Sequence, residues 1–222
     1  MISRDAKVAG LVLAVALAPP VFLWLRATGD PRWYVGDDVP PGQLLYVLAK
    51  LGGLVAMTLF IVQLSLMVLR VAGVRAVRGW WSARAHRLLG ASVVMAVLLH
   101  AGLFTSAASL RSGHIAWHPL MLNWSSGFYD RMVSLGVIAL VAMVMLALLG
   151  HRVGRGTGRV RALHRLLALL CAPLALAHSF AIGSETGTPI MTLFYLALTL
   201  AGVAGGIVLA RSGRRGGNRA LG

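Results

Sequence analysis

The chain has few charged residues and almost no cysteine. Only 12% of its 222 residues are charged, about half the share that soluble domains usually carry. The single cysteine, Cys171, has no partner in the chain, which excludes an intramolecular disulfide framework. Hydrophobic residues make up 58% of the sequence and the mean hydropathy is +0.80. These values exclude a disordered or collagen-like chain and predict an integral membrane protein.

Acidic residues are also scarce. The 6 Asp and Glu residues stand against 21 Lys and Arg residues, which gives a formal net charge of +15. In a soluble domain such an excess would suggest nucleic-acid binding. Here the basic residues are dispersed between long apolar runs, so we expect a lipid bilayer as the partner and no nucleic acid.

Six apolar runs are long enough to cross the hydrocarbon core, which takes about 17 to 25 residues. The first could also be read as a signal peptide, but it is long for one and lacks a small-residue cleavage site. We therefore predict an all-α protein, an integral membrane bundle of six transmembrane helices. The predicted spans are Val8 to Leu25, Leu44 to Leu69, Ala83 to Ser106, Met132 to Leu149, Ala162 to Ile182 and Ile190 to Ala210.

The basic residues fall mainly on one side of these spans. By the positive-inside rule this side is cytoplasmic. The sequence thus predicts both termini in the cytoplasm, and a bacterial inner membrane as the location. The basic residues on this side are Arg4, Lys7, Arg70, Arg75, Arg78, Arg84, Arg87, Arg152, Arg155, Arg159, Arg161, Arg165, Arg211, Arg214, Arg215 and Arg219.

Four of the seven histidines lie inside the third and fifth predicted spans. His86 and His100 are fourteen residues apart, and so are His164 and His178. Fourteen residues make nearly four helical turns, so each pair shares one helix face, its members about 21 Å apart along the axis. Each segment also opens with the same four residues, His-Arg-Leu-Leu.

Both helices enter from the same side and should run parallel. His86 then lies level with His164, and His100 with His178. Neutral imidazole is a good iron ligand, and helix bundles often build cofactor sites from inward-facing side chains. A lone intramembrane histidine is often only a hydrogen-bonded packing residue, but two equal spacings on parallel helices favour two bis-histidine haem sites.

This pattern resembles the ferric reductase-like transmembrane domain, the six-helix, two-haem core of NADPH oxidases and ferric reductases. The resemblance covers roughly Leu44 to Ala210 and divides the chain into 1–43 (first helix and outer loop), 44–210 (haem-binding core) and 211–222 (basic cytoplasmic tail). It implies two haems b, an inner one on His86 and His164 and an outer one on His100 and His178.

Stand-alone relatives include the haem-binding membrane subunit of the methionine sulfoxide reductase system. That subunit resembles this chain around Arg87-Leu88-Leu89-Gly90, His100, His164 and His178. It need not keep a histidine equivalent to His86, so the full set of four histidines favours the general two-haem class.

The chain lacks the Gly-rich fingerprint of a dinucleotide-binding domain. We therefore expect electrons from a separate donor protein or a quinol, with flavin present only through a partner or an unrecognised site. The acceptor is expected on the extracytoplasmic side, where a partner reductase could bind. The chain would then be the membrane electron-transfer subunit of an oxidoreductase.

Several further residues are candidates for cofactor contacts. Arg87 and Arg165, with Arg84 and Arg161, lie close to the inner ligands and could pair with haem propionates, or they could be ordinary cytoplasmic anchors. Weaker candidates for the outer haem are Arg111, Arg131 and Lys50. His114 and His118, four residues apart in an outer loop, could bind a metal ion or line an acceptor site, or simply be solvated.

Two other functions fit the sequence less well. A transporter or channel could use the histidines as a proton or metal path, but the spans lack acidic residues for ion coupling. A structural membrane subunit without haem would bury the histidines as packing residues.

Overall fold

The computed structural model describes residues 4–36, 38–71, 77, 82–125, 127–153 and 158–200. Of the described residues, 85% are helical and none lies in a strand. Two single-turn 3-10 helices, Pro31–Tyr34 and His118–Leu120, lie in the connections. The main helices are α1 (Arg4–Thr28), α2 (Gln43–Val71), α3 (Ala83–Ser112), α4 (Phe128–Val153), α5 (Gly158–Ile182) and α6 (Pro189–Leu200).

The prediction of an all-helical membrane protein is confirmed in its coarse form. Helices α1 to α5 are long and apolar enough to cross a membrane. The sixth predicted span corresponds to α6, a shorter apolar helix over its described residues, so six spans are not confirmed. Residues 201–210 of that span and the tail 211–222 lie outside the described residues, as do Arg75, Arg78 and Arg155.

Local chemistry explains where α3 begins and ends. The Ser82 hydroxyl accepts a hydrogen bond from the Ala85 amide at 3.1 Å, which caps the first turn. Gly113 follows the last residue in the left-handed conformation, with φ +71°, as is common at helix ends. The helix reaches Ser112, beyond the predicted end at Ser106. The two histidines of α3 therefore lie on one uninterrupted helix.

Helix α2 lies at the centre of the packing. It packs against α1 and most extensively against α3, while α5 packs mainly against α4. Buried polar contacts join α2 to its neighbours: the Trp24 indole donates to the Val47 carbonyl at 3.1 Å, and the Thr58 and Tyr195 hydroxyls are 3.1 Å apart. Helices α3 and α5 are thus each packed mainly against a different partner.

Gly42, in the turn just before α2, lies directly against the backbone of α3. Its φ is +77°, and a Cβ there would lie 2.7 Å from the Ala107 carbonyl oxygen. Gly42→Ala is expected to lower the free energy of unfolding by about 2–3 kcal/mol, since it combines left-handed strain with a backbone clash. A denaturant titration in detergent measures this. Gly36→Ala, where a Cβ meets open space, is the control, and equal effects of the two substitutions would contradict the explanation.

Candidate functional site

The four intramembrane histidines form two pairs across α3 and α5. The ring centroids of His86 and His164 are 6.2 Å apart, and those of His100 and His178 are 6.3 Å apart. The angle between the ring planes is 74° in both pairs. The two helices therefore run parallel, and the same geometry occurs at two levels of the bundle.

The separation within each pair suits a metal ion between the rings. A metal–imidazole bond is about 2.0 Å long, so two rings bound on opposite sides of one ion have centroids roughly 6.3 Å apart. The ring planes are free to take any mutual angle about the line joining the nitrogens. Each pair is therefore spaced to supply two axial ligands to one ion.

Backbone carbonyls on neighbouring helices orient three of these rings. The Nδ1 of His100 lies 2.7 Å from the Ala49 oxygen on α2. On α4, the Met132 oxygen lies 2.8 Å from Nδ1 of His178, and the Leu146 oxygen lies 3.1 Å from Nδ1 of His164. A carbonyl can only accept, so Nδ1 must carry the hydrogen and Nε2 is left to bind a metal. Such a hydrogen bond to the second ring nitrogen is typical of metal-binding histidines.

A cleft opens between the helices at the level of His100 and His178. Its empty volume, open mouth included, is about 1300 Å³. Its walls are apolar and include Val97, Leu140 and Met143. The cleft is thus a largely apolar space lined in part by both imidazoles.

Charged and polar side chains line one part of this cleft, and we call that part the Lys50 mouth (Tyr46, Lys50, Thr105, Glu185). The Lys50 ammonium and the Glu185 carboxylate form an ion pair at 2.7 Å, with side chains 27% and 12% exposed. Lys50 also lies 5.4 Å from the centre of the Tyr46 ring. The Thr105 hydroxyl is buried without a hydrogen-bond partner among the described residues. The mouth thus offers donors to a polar edge of a bound molecule.

Between the two histidine levels the core is apolar. Val93 on α3 is 2% exposed and Cys171 on α5 is fully buried; each lies midway between the histidines of its own helix. The Cys171 thiol points at the Ala139 carbonyl, 3.6 Å away. The thiol is thus packed within the core.

The arginines chosen from the sequence are not enclosed in a site. Arg87 and Arg165 follow His86 and His164 by one residue, and both side chains are exposed, as are those of Arg84 and Arg161.

The weaker candidates differ among themselves. The guanidinium of Arg111 donates to the Gln43 side chain at 2.6 Å and lies 5.4 Å from the centre of the Tyr46 ring, whereas Arg131 is exposed. Of these candidates, only Lys50 lines the cleft.

His114 and His118 lie on the surface of the connection between α3 and α4. Both are exposed, and the His114 ring bonds to the Ser112 carbonyl at 3.0 Å. Across the described ranges, no group of three or more His, Cys, Asp or Glu side chains could hold a metal ion. The four intramembrane histidines thus form two pairs, whereas His114 and His118 have no third protein ligand among the described residues.

Two parts of the site escaped the sequence analysis. Glu185, the partner of Lys50, lies in the connection between α5 and α6, and its distance along the chain from Lys50 concealed the contact. The carbonyls of Ala49, Met132 and Leu146 carry no sequence signal, because every residue has one.

No protein-family model, curated protein or solved structure matches the chain.

Proposed function

We propose that this chain is a transmembrane b-type cytochrome that relays electrons across the membrane through two bis-histidine haems. One observation carries the proposal: two imidazole pairs, each with a centroid separation of 6.2 or 6.3 Å. Two pairs with the same separation and ring angle are hard to explain as independent packing contacts.

The residues present fit haem. His100 and His178 would hold one haem, and His86 and His164 would hold the other. The iron supplies the one-electron redox change, and the protein sets its surroundings. The carbonyls of Ala49, Met132 and Leu146 hold three of the rings with Nε2 unprotonated, and the apolar side chains of the cleft would contact the faces of the macrocycle.

The Lys50 mouth supports placing a haem in the adjacent cleft. A haem has an apolar face and two carboxylates on one edge. The Lys50 ammonium and the Thr105 hydroxyl are two donors that those carboxylates would meet, through charge-assisted and neutral hydrogen bonds. Arg87 and Arg165 would reach the carboxylates of the other haem only by folding back over the surface, so we consider them weaker candidates for that contact.

The partners follow from charge and topology. We place both termini in the cytoplasm of a bacterial cell, with the chain in the inner membrane, as the basic residues indicate. Electrons then pass from a cytoplasmic-side donor protein or a quinol to an extracytoplasmic acceptor, which includes a partner reductase. The resemblance to the ferric reductase-like transmembrane domain supports this assignment.

The decisive experiment is a reduced-minus-oxidised absorption spectrum of the purified full chain, combined with haem quantification as the pyridine complex. We expect a b-type spectrum and two haems per chain. Purified, monodisperse protein from a haem-replete host that shows no b-type spectrum would overturn the proposal. Metal-dependent flux by such haem-free protein in vesicles would instead favour a transporter.

A further inference from the structure

Three of the four paired histidines pack against a glycine on the neighbouring helix. A Cβ built on Gly136 would lie 2.5 Å from Nδ1 of His178, and one on Gly53 would lie 3.1 Å from Nδ1 of His100. A Cβ on Gly150 would lie 3.2 Å from Cε1 of His164. Each imidazole therefore occupies space that any other residue would fill with at least a methyl group.

The carbonyl that each histidine bonds lies four residues before that glycine. His100 bonds Ala49 ahead of Gly53, and the two histidines of α5 bond Met132 and Leu146, ahead of Gly136 and Gly150. In an α-helix a Cβ leans toward the N-terminus, over the preceding turn. A side chain at the glycine would thus cover the carbonyl that the imidazole reaches, whose second lone pair is open only because the Cβ is missing.

The spacing of the glycines repeats the spacing of the histidines. Gly136 and Gly150 on α4 are fourteen residues apart, as are the two histidines of α5 that they face. On α2, the residue fourteen after Gly53 is Met67, so the arrangement is confined to three of the four positions. Because α4 and α5 pack against each other and both carry an interval of fourteen residues, Gly136 lies opposite His178 and Gly150 lies opposite His164.

We propose that Gly53, Gly136 and Gly150 are positioning residues that fix which nitrogen of each facing histidine is open to a metal. By admitting the ring to the carbonyl, each glycine holds the proton on Nδ1 and leaves Nε2 as the ligand atom. The proposal rests on the proposed haem ligation for its functional meaning. The glycines bind nothing themselves; they act through the histidines.

Replacing these glycines should therefore weaken haem binding although alanine favours a helix over glycine. Loss of a partner of this kind typically costs about 10–100-fold in metal affinity. We expect Gly136→Ala to weaken retention of the haem on His100 and His178 by that factor and to shift its midpoint potential. Gly150→Ala, with the longer clearance, should have a smaller effect on the other haem. Gly102→Ala on α3, where a Cβ meets open space, is the matched control and should change neither.

The second readout is the tautomer of the histidines in the haem-free full chain, measured by ¹⁵N NMR with labelled histidine. In the parent chain, His100, His164 and His178 should carry the proton on Nδ1. Gly136→Ala should convert His178 to a mixture of tautomers, and Gly150→Ala should do the same for His164. If Gly136→Ala does not fold, the milder Gly150→Ala carries the test.

The outcomes separate the two proposals. Parental haem affinity, potentials and tautomers in folded Gly136→Ala and Gly150→Ala proteins would overturn the positioning role while leaving the cytochrome assignment intact. A parent chain that binds no haem would overturn the cytochrome assignment. The tautomers would then decide the positioning role alone: their change in the glycine variants supports it, and their persistence refutes it.

Discussion

A protein in which His100 and His178 are both replaced by alanine is expected to bind one haem per chain instead of two. These two rings would be the protein ligands of the haem next to the Lys50 mouth, and alanine offers no atom to replace them. The complementary variant, His86→Ala/His164→Ala, should lose the other haem and keep this one. Haem quantification and a potentiometric titration measure both effects, and each variant should lose one of two redox components.

The control for this experiment is His114→Ala/His118→Ala. Both rings are exposed on the loop between α3 and α4, so the variant should retain two haems and both potentials. Full haem loading in either intramembrane double variant would refute ligation by that pair. Electron transfer across the vesicle membrane should stop in both variants, because each would lack one of the two haems through which the electrons pass.

Removal of Lys50 is expected to have the largest effect on stability among single substitutions at the Lys50 mouth. Its ammonium is 2.7 Å from a Glu185 carboxylate that is 12% exposed. Breaking a buried pair from one side leaves an uncompensated charge, which typically costs about 3–5 kcal/mol. We expect Lys50→Met to lower the free energy of unfolding by about 3 kcal/mol, the lower end of that range, because the lysine is partly exposed.

The matched comparison is a double-mutant cycle. Lys50→Met/Glu185→Gln removes both charges, and its free energy of unfolding should be closer to that of the parent than either single variant. The exposed pair of Arg32 and Asp30, 3.6 Å apart, serves as a control: Arg32→Ala should cost under about 0.5 kcal/mol. Additive effects of the two Lys50-mouth substitutions would show that the charges do not stabilise each other.

Much of the fold could be predicted because membrane solvation leaves a simple signal. A helix must satisfy its own backbone in lipid, so long apolar runs reveal its position. The positions of the helix ends were harder to predict. The prediction stopped α3 at Ser106, whereas the helix runs to Ser112, and the Ser109 hydroxyl within it bonds to the Thr105 carbonyl at 2.8 Å instead of facing lipid unpaired. Such local bonds depend on backbone geometry more than on hydropathy.

The pairing of histidines could be predicted from two features, the spacing of fourteen residues and the parallel direction of α3 and α5. The supporting contacts could not, because they depend on the register between different helices. The matching interval between Gly136 and Gly150 was present in the sequence, but small residues are common wherever membrane helices pack. Only the position of each glycine opposite an imidazole distinguishes these two from the rest.

The apolar layer around Val93 and Cys171 has an energetic consequence for a relay. Between the two histidine levels, the helix segments of α2 to α5 hold no Asp, Glu, Lys or further His, so under the proposed function no proton carrier of those kinds would accompany an electron through the core. Electron transfer would then be electrogenic. The free energy of moving a unit charge across the whole membrane changes by about 2.3 kcal/mol for each 100 mV of membrane potential. The voltage across the membrane would therefore set how far the reaction can run.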